Sequence, residues 1–452
     1  MQARSQMGFT LAFHIVLACL GVAFPAVVLV ANYLGLRRRD ETALLLARRW
    51  SQVMAVLVAV GAITGTVLSF EMGLLWPGLM GRFGGAIGIP FSIEGIFFLL
   101  EAVFVSIYLY GWDRLSGWPH FCTGVPVAVA GSLGAWSVVA ANSWMNQPAG
   151  FQLSHGRLTH VDPVAVFFNP ATYYEVPHMI LAAYMVTGFL VASVYAVGLL
   201  RGRRDRYHRL GFLVPFTIAG VCTPLQIFVG DTAARAVEHQ QPLKFAAMEY
   251  VVRTHRHVSE YLGGVFVNGH VTGALKVPDL DSLLVGFSPN TKVVGWDSVP
   301  AAGRAPFVSF IHLSFDLMVL IGFGLLVLGA WSAVSWWRRR DLPGSRLFLW
   351  GGALSGLAAV VAMECGWVVT EVGRQPWIVY KVMLTSQAAT TTSGLTGTLT
   401  AIIALYAVLG IATVAILLAF RRRWRQTAAV DNRDVPYGPS AGEPADRVGQ
   451  RS

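Results

Sequence analysis

The strongest constraint on this chain is the length of its apolar runs. Between Met7 and Leu36 the one charged or imidazole side chain is His14, and between Val53 and Leu75 it is Glu71. A helix of about 20 such residues is long enough to cross the hydrocarbon core of a bilayer. Spans of this kind are predicted at about 8–36, 51–75, 91–112, 121–142, 178–200, 211–230, 307–337, 347–370 and 397–420. Lipid offers the backbone no hydrogen-bond partner, so each span must be a helix. The expected fold class is therefore an all-α integral membrane protein with nine transmembrane helices. Composition agrees: 13% of residues are charged, against about 25% in soluble proteins.

The net charge of +10 comes mostly from arginine. The basic residues alternate with spans, as membrane anchors do, and nucleic-acid binding is not expected. Clusters follow span one (Arg37, Arg38, Arg39, Arg48, Arg49), span five (Arg201, Arg203, Arg204, Arg206, Arg209), span seven (Arg338, Arg339, Arg340, Arg346) and span nine (Arg421, Arg422, Arg423, Arg425). Arg114 follows span three, and the short loops on the opposite side are poor in basic residues, with Arg82, Arg157, Arg374 and Lys381. Basic loops stay on the cytoplasmic side, which places the N-terminus outside and the C-terminus inside. Residues 1–425 are expected to form one membrane domain with a long outer loop at about 231–306. The polar tail 426–452 is expected to be a disordered cytoplasmic segment. The four cysteines, Cys19, Cys122, Cys222 and Cys365, show no zinc spacing and no C-x-x-C-H motif, so any haem would be held non-covalently.

Ionisable groups inside a membrane are costly and mark functional sites. Glu94 and Glu101 are seven residues apart in SIEGIFFLLEAVF, on one helix face and about 10 Å apart along the axis. Two stacked carboxylates suit a proton relay, or a metal ligand with a relay behind it. His14, His178, Met318, Glu364 and Glu94 are predicted to lie in the outer half of the membrane. Imidazole, thioether and carboxylate at one depth suit axial ligation of haem iron, and a His–Met pair gives a low-spin, higher-potential haem. His120, His208 and His312 read as satisfied core or interfacial residues. The histidine content is too sparse for a haem–copper oxidase or a four-helix cytochrome b, and no internal repeat suggests a transporter.

These residues sit in IEG-x4-LE followed by GWDRL (93–101, 111–115), ANSWMNQP (141–148), NP-x6-PH (169–178), GD (230–231), KFAAME (244–249) and ECGWVVTEVGRQPW (364–377). Over about residues 4–420 the chain resembles subunit I of cytochrome bd-type quinol oxidases, of the short quinol-loop type. The resemblance implies a nine-helix subunit that binds three haems, pairs with cytochrome bd subunit II and, in some complexes, with small single-helix subunits. It implies a multi-pass protein of the bacterial cytoplasmic membrane that oxidises quinol (menaquinol or ubiquinol) outside and reduces O2 to water. Such an enzyme builds a proton gradient without pumping. By position, His178 and Met318 match the axial ligands of a low-spin haem b. His14 and Glu94 match ligands at the haem d end of a di-haem site, where a third haem b is the alternative, and Glu364 matches the ligand of a high-spin haem b. Trp367 and Arg374 fall in the cofactor-binding motif, and Glu101 matches a carboxylate of the proton path. Lys244 and Glu249 match the quinol-site pair: a carboxylate can accept a quinol proton while an ammonium polarises a quinone oxygen. One departure concerns Asp316, two residues before Met318, where the family usually has arginine. The reversed charge should lower the potential of the low-spin haem unless a cation compensates. A haemless transporter, or a redox sensor with another electron donor, are the competing readings.

Overall fold

The computed structural model describes residues 2–300, 304–392 and 394–426. Among these, nine helices are long and apolar enough to cross a membrane: α1 (Gln2–Arg38), α2 (Glu41–Leu75), α3 (Pro77–Gly111), α4 (Gly117–Asn146), α6 (Thr172–Leu200), α7 (Arg206–Gln240), α10 (Val308–Arg339), α11 (Arg346–Gly373) and α13 (Leu395–Gln426). The four short helices are α5 (Pro163–Phe167), α8 (Pro242–Glu249), α9 (Leu280–Gly286) and α12 (Thr385–Ala388). Every predicted span is found, extended by polar turns that hydropathy alone excludes. Several helices start at a residue whose side chain accepts from orphan N–H groups of the first turn: Asp40 from Thr42 and Ala43, Asp205 from His208, and Ser345 from Phe348.

All the basic loops lie at one end of the bundle. Arg206 pairs with Asp40 at 2.5 Å, Arg48 with Asp113 at 2.7 Å, and Arg209 with Asp341. The Arg49 guanidinium sits 5.2 Å from the Tyr207 ring and 5.4 Å from the Trp424 ring. These contacts tie together the segments after spans one, three, five, seven and nine, as alternating crossings require.

The other end carries the long segments. Residues 147–171 hold a hairpin, β1 (Gln152–Ser154) with β2 (Arg157–Thr159), followed by α5. The second long segment begins later than predicted. Asp231–Gln240 continue α7 instead of opening the loop, helped by alanines and by an Asp231–Arg235 pair at 2.7 Å with i,i+4 spacing. From Gln241 the chain forms α8, then two nested hairpins. In these, β3 (Glu260–Leu262) pairs with β6 (Leu275–Val277) and β4 (Val265–Val267) with β5 (His270–Thr272). The loop has its own core around Phe245, Tyr250, Val258, Val293 and Trp296 and rests on the start of α10, where Ser309 Oγ accepts from Phe266 N. A last pair, β7 (Trp377–Val379) with β8 (Met383–Leu384), follows α11, and Tyr380 N donates to Met145 O. The predicted tail, 426–452, falls outside the described residues except for Gln426.

The bundle interior is built on close helix contacts at small residues, as is usual where lipid provides no hydrophobic drive between helices. Ala183, Ala192 and Ala196 of α6, Ala219 of α7 and Ala359 of α11 share one core with Phe189, Phe212, Phe216 and Phe348. The four cysteines are unpaired.

Candidate haem and quinol site

A cavity of about 550 Å³ opens between α6, α7, α10 and α11 under the long loop. Its lining includes His178, Met318 and Trp367, and nearer the loop Lys244, Glu249 and Glu260. The fold thus brings together five of the residues singled out in the sequence, four from three separate motifs and Met318 from a fourth stretch. α6 delivers His178 just after Pro177, α10 delivers Met318 and α11 delivers Trp367, while α8 carries both Lys244 and Glu249.

The two candidate ligands of a low-spin haem are placed for that work. His178 Nε2 lies 3.2 Å from the Gln226 amide nitrogen, and its Nδ1 is buried without a hydrogen-bond partner. A buried ring nitrogen left unpaired is costly unless something else occupies it. Each ligand also lies against a glycine of the neighbouring helix. A Cβ on Gly230 would meet His178 Cε1 at 3.2 Å, and one on Gly366 would meet Met318 Sδ at 3.1 Å. These are the glycines of the GD and ECGW motifs. An imidazole with a free buried nitrogen and a thioether on one apolar cavity fit a haem group.

The remaining candidates do not line this cavity, and His14, Glu101 and Glu364 gather around α1. His14 Nδ1 is 2.9 Å from Thr64 Oγ1, which itself lies 3.0 Å from Gly61 O and 3.2 Å from Val60 O. If the hydroxyl proton goes to a backbone carbonyl, Thr64 accepts from His14 Nδ1–H, and His14 Nε2 is left as the lone-pair nitrogen a metal needs. Gly65 again makes the room: a Cβ there would meet His14 Cε1 at 3.2 Å. Glu101 is buried with Oε1 unpartnered, 3.5 Å from where a Cβ of Gly131 would stand. Glu94 is on the same helix two turns nearer the loops and is half-buried. Glu364 of α11 lies near Cys19 of α1.

Some partners were not legible in the sequence. Arg374 is 1% exposed and holds Glu371 at 2.5 Å and Asn146 Oδ1 at 3.3 Å. Glu371 also accepts from Asn142 at 2.6 Å, and Glu175 accepts from Ser143 at 2.9 Å and Asn146 at 2.8 Å. Glu371 repeats on α11 the seven-residue spacing of Glu94 and Glu101, one such step from Glu364. Nothing but its position inside ECGWVVTEVGRQPW marked it. The stem of Lys244 crosses Gly373, where a Cβ would meet its Cγ at 3.1 Å. Burial, with Arg374 close by, pulls the Lys244 ammonium down to about 8 even though Glu175 and Glu371 work the other way. Burial and the carboxylates of Asp281, Glu260 and Asp316 push Glu249 well above the usual carboxylate range.

Asp316 has two partners. Its Oδ2 accepts from Gly263 N at 2.5 Å and lies 3.2 Å from His312 Nε2. His312 is buried, 2.5 Å from Met248 O through Nδ1, and its ring lies 3.8 Å from that of Tyr250. It is the satisfied core histidine expected, as is His120, which bonds Tyr108 O at 2.7 Å.

The family model for cytochrome bd terminal oxidase subunit I matches residues 2–424. A Bacillus subtilis (strain 168) protein provisionally named cytochrome bd menaquinol oxidase subunit I is 35% identical over 431 residues, covering 93% of this chain and 96% of the relative. The cytochrome bd ubiquinol oxidase subunit 1 of the same organism is 27% identical over 450 residues, covering 96% and 95%. Among solved structures, a chain of the bd oxidase from Geobacillus thermodenitrificans superposes with a TM-score of 0.87 at 35% identity, covering 93% of this chain and 98% of that one.

Proposed function

The chain belongs to the cytochrome bd terminal oxidase subunit I family, and from that membership we propose that it is the subunit that binds quinol beneath its long outer loop and holds the haems that serve oxygen reduction. The observation that carries the reading is the shared cavity. His178 and Met318 line the same space as Lys244 and Glu249.

Three haems are assigned to this chain: a low-spin haem b on His178 and Met318, and two at the α1 cluster with His14, Glu94 and Glu364 as ligands. The oxygen-binding one of these is haem d or a third haem b. Held there, haem supplies one-electron transfer and the iron at which O2 is reduced. Trp367 walls the low-spin site, and Arg374, neutralised in part by Glu371, supplies buried positive charge at its outer end. Lys244 directs an ammonium at a quinol oxygen, and Glu249 takes a quinol proton. Glu101 and Glu94, stacked on α3, carry protons arriving from the inner face. Quinol protons leave at the outer face, so the reaction builds a gradient without pumping. With the N-terminus outside, the arginine-rich end faces the cytoplasm of a bacterial cell. Subunit II is the expected partner. Menaquinol is the first substrate to test, since the relative at 35% identity is named for it and the ubiquinol-named one is 27% identical.

The test is a reduced-minus-oxidised visible spectrum of the purified complex with haem extraction. We expect b-type bands, plus a red-shifted band if the oxygen site holds haem d. In His178→Ala the low-spin b band is lost while the remaining haems stay. A complex without haem, or a His178→Ala spectrum like the wild type, would sink the reading.

A further inference from the structure

The long loop and α10 bury a group of acids that the quinol chemistry so far leaves idle. Asp281, in the first turn of α9, is 1% exposed, and neither of its carboxylate oxygens has a hydrogen-bond partner. Glu249 Oε2 and Glu260 Oε2 are buried and unpartnered as well. α9 is held in place from beside Asp281: Ser282 Oγ accepts from Val258 N at 2.9 Å and donates to Thr291 O at 2.9 Å. The helix turns Leu284 and Val285 to the cavity that Glu249 and Glu260 also line. Glu260, on β3, is only half-buried and so connects this interior to the outer surface.

The groups around Asp281 are almost all of one sign. Glu249 comes from α8, Glu260 from β3, and Asp316 from α10 together with its imidazole partner His312. The cations near the cavity have other neighbours, Lys244 lying close to Glu175 and Glu371. Arg235 of α7 pairs with Asp231 and lies 3.9 Å from the Phe287 ring, and Lys276 of β6 lies over Tyr261. Among the described residues no three such side chains have metal-site spacing. Buried carboxylates this close cannot all be ionised, and what they can share is protons.

We propose that Asp281 and Glu260 form the proton exit behind Glu249, passing each quinol proton from the cavity to water at the outer face. This rests on the reading of Lys244 and Glu249 as the quinol site. In the step, a quinol O–H bond breaks and an O–H bond forms on the Glu249 carboxylate. The electrons leave towards O2, the oxidant of the family's reaction. The proton then moves to Asp281 or Glu260 and from Glu260 to solvent, which restores the Glu249 carboxylate. Asp281 does not touch quinol and acts through Glu249. Burial, then the charges of Glu260 and Asp316, push Asp281 up to about 8, within reach of the pH at which such a carrier works.

The test compares Asp281→Asn, Glu260→Gln and Glu249→Gln in the intact complex, assayed as O2 uptake with a short-chain menaquinol. Asp281→Asn should lower kcat by roughly 10- to 100-fold, the lower range for a positioned proton carrier, and leave KM unchanged. It should also move the ascending limb of the pH profile to lower pH, since Glu249 loses a negative neighbour. A second readout needs no turnover. A carboxyl whose folded pKa lies above its unfolded value weakens the fold as pH rises between the two. The fall in Tm between about pH 4 and pH 8 should therefore be shallower in Asp281→Asn than in the wild type. If Asp281→Asn does not assemble, Glu260→Gln carries the same kcat test. Wild-type kcat and pH profile in both variants, with Glu249→Gln impaired, overturn the relay alone. An unimpaired Glu249→Gln overturns the quinol site and the relay together.

Discussion

At the scale of single residues, the candidate ligands owe their positions to what is missing opposite them. His14, His178 and Met318 each press on a glycine, Gly65, Gly230 and Gly366, at 3.1–3.2 Å from where a Cβ would be. A methyl there must push the ligand aside by a few tenths of an ångström. Gly366→Ala is therefore expected to weaken the low-spin haem band and shift its midpoint potential, while the complex still assembles. A redox titration followed in the visible range checks this, and an unchanged potential would show that Met318 is not held by that contact. Lys244 gives a prediction in pH. Its ammonium loses a proton as pH rises through about 8, so quinol oxidation should decline on the alkaline side of that value. Lys244→Gln should have lower activity throughout and lack that decline. A decline at the same pH in the variant would assign it to another group.

At the scale of elements, α6 is the helix on which the cavity depends. It is packed between α7 and α11 at glycines: a Cβ on Gly188 would meet Pro215 O at 2.6 Å, and one on Gly356 would meet Leu190 Cα at 2.8 Å. Backbone that close cannot yield as a side-chain tip can. Gly188→Leu should destabilise the complex by about 1–3 kcal/mol or more, the cost of overpacking a close-packed core, and should lower haem content with it. Thermal unfolding in detergent measures the first effect and haem per polypeptide the second. Wild-type values for both would mean that the α6–α7 spacing tolerates an expansion the packing says it should not. The elongation of α7 to Gln240 belongs to the same scale. It places Asp231 and Arg235 at the rim of the cavity, where an early loop would have left them in solvent.

At the scale of the whole molecule, the bundle has one arginine-rich end and one end of loops and hairpins. Ion pairs between loops far apart in sequence, Asp40 with Arg206 and Arg48 with Asp113, fix that polarity within the protein. Its direction in the bilayer is a proposal from charge. A reporter protein that is active only in the cytoplasm, fused after Arg425, should be active, and the same reporter inserted between β4 and β5 should be silent. The reverse pattern would invert the proposed topology and move the quinol site to the inner face. The apolar side chains exposed on α3, α10 and α13, such as Leu99, Leu320 and Ile411, face whatever surrounds the bundle: lipid, or the partner subunit the family implies.

The sequence by itself determined the number of spans, the alternation of basic and non-basic loops and most of the candidate site residues. Each of these is written locally, in runs of apolar residues, in arginine clusters and in short motifs. It could not show that these candidates divide into two groups. His178, Met318, Trp367, Lys244 and Glu249 come from four helices and share one cavity, whereas His14, Glu101 and Glu364 collect around α1. Which helix face meets which neighbour is decided by packing across hundreds of residues. Nor did it show that Asp316 accepts from Gly263 N, 53 positions away. Glu371, Glu175 and Asp281 were passed over for the same reason. A carboxylate's burial and its partners belong to the assembled bundle and its loop, and no local pattern records them.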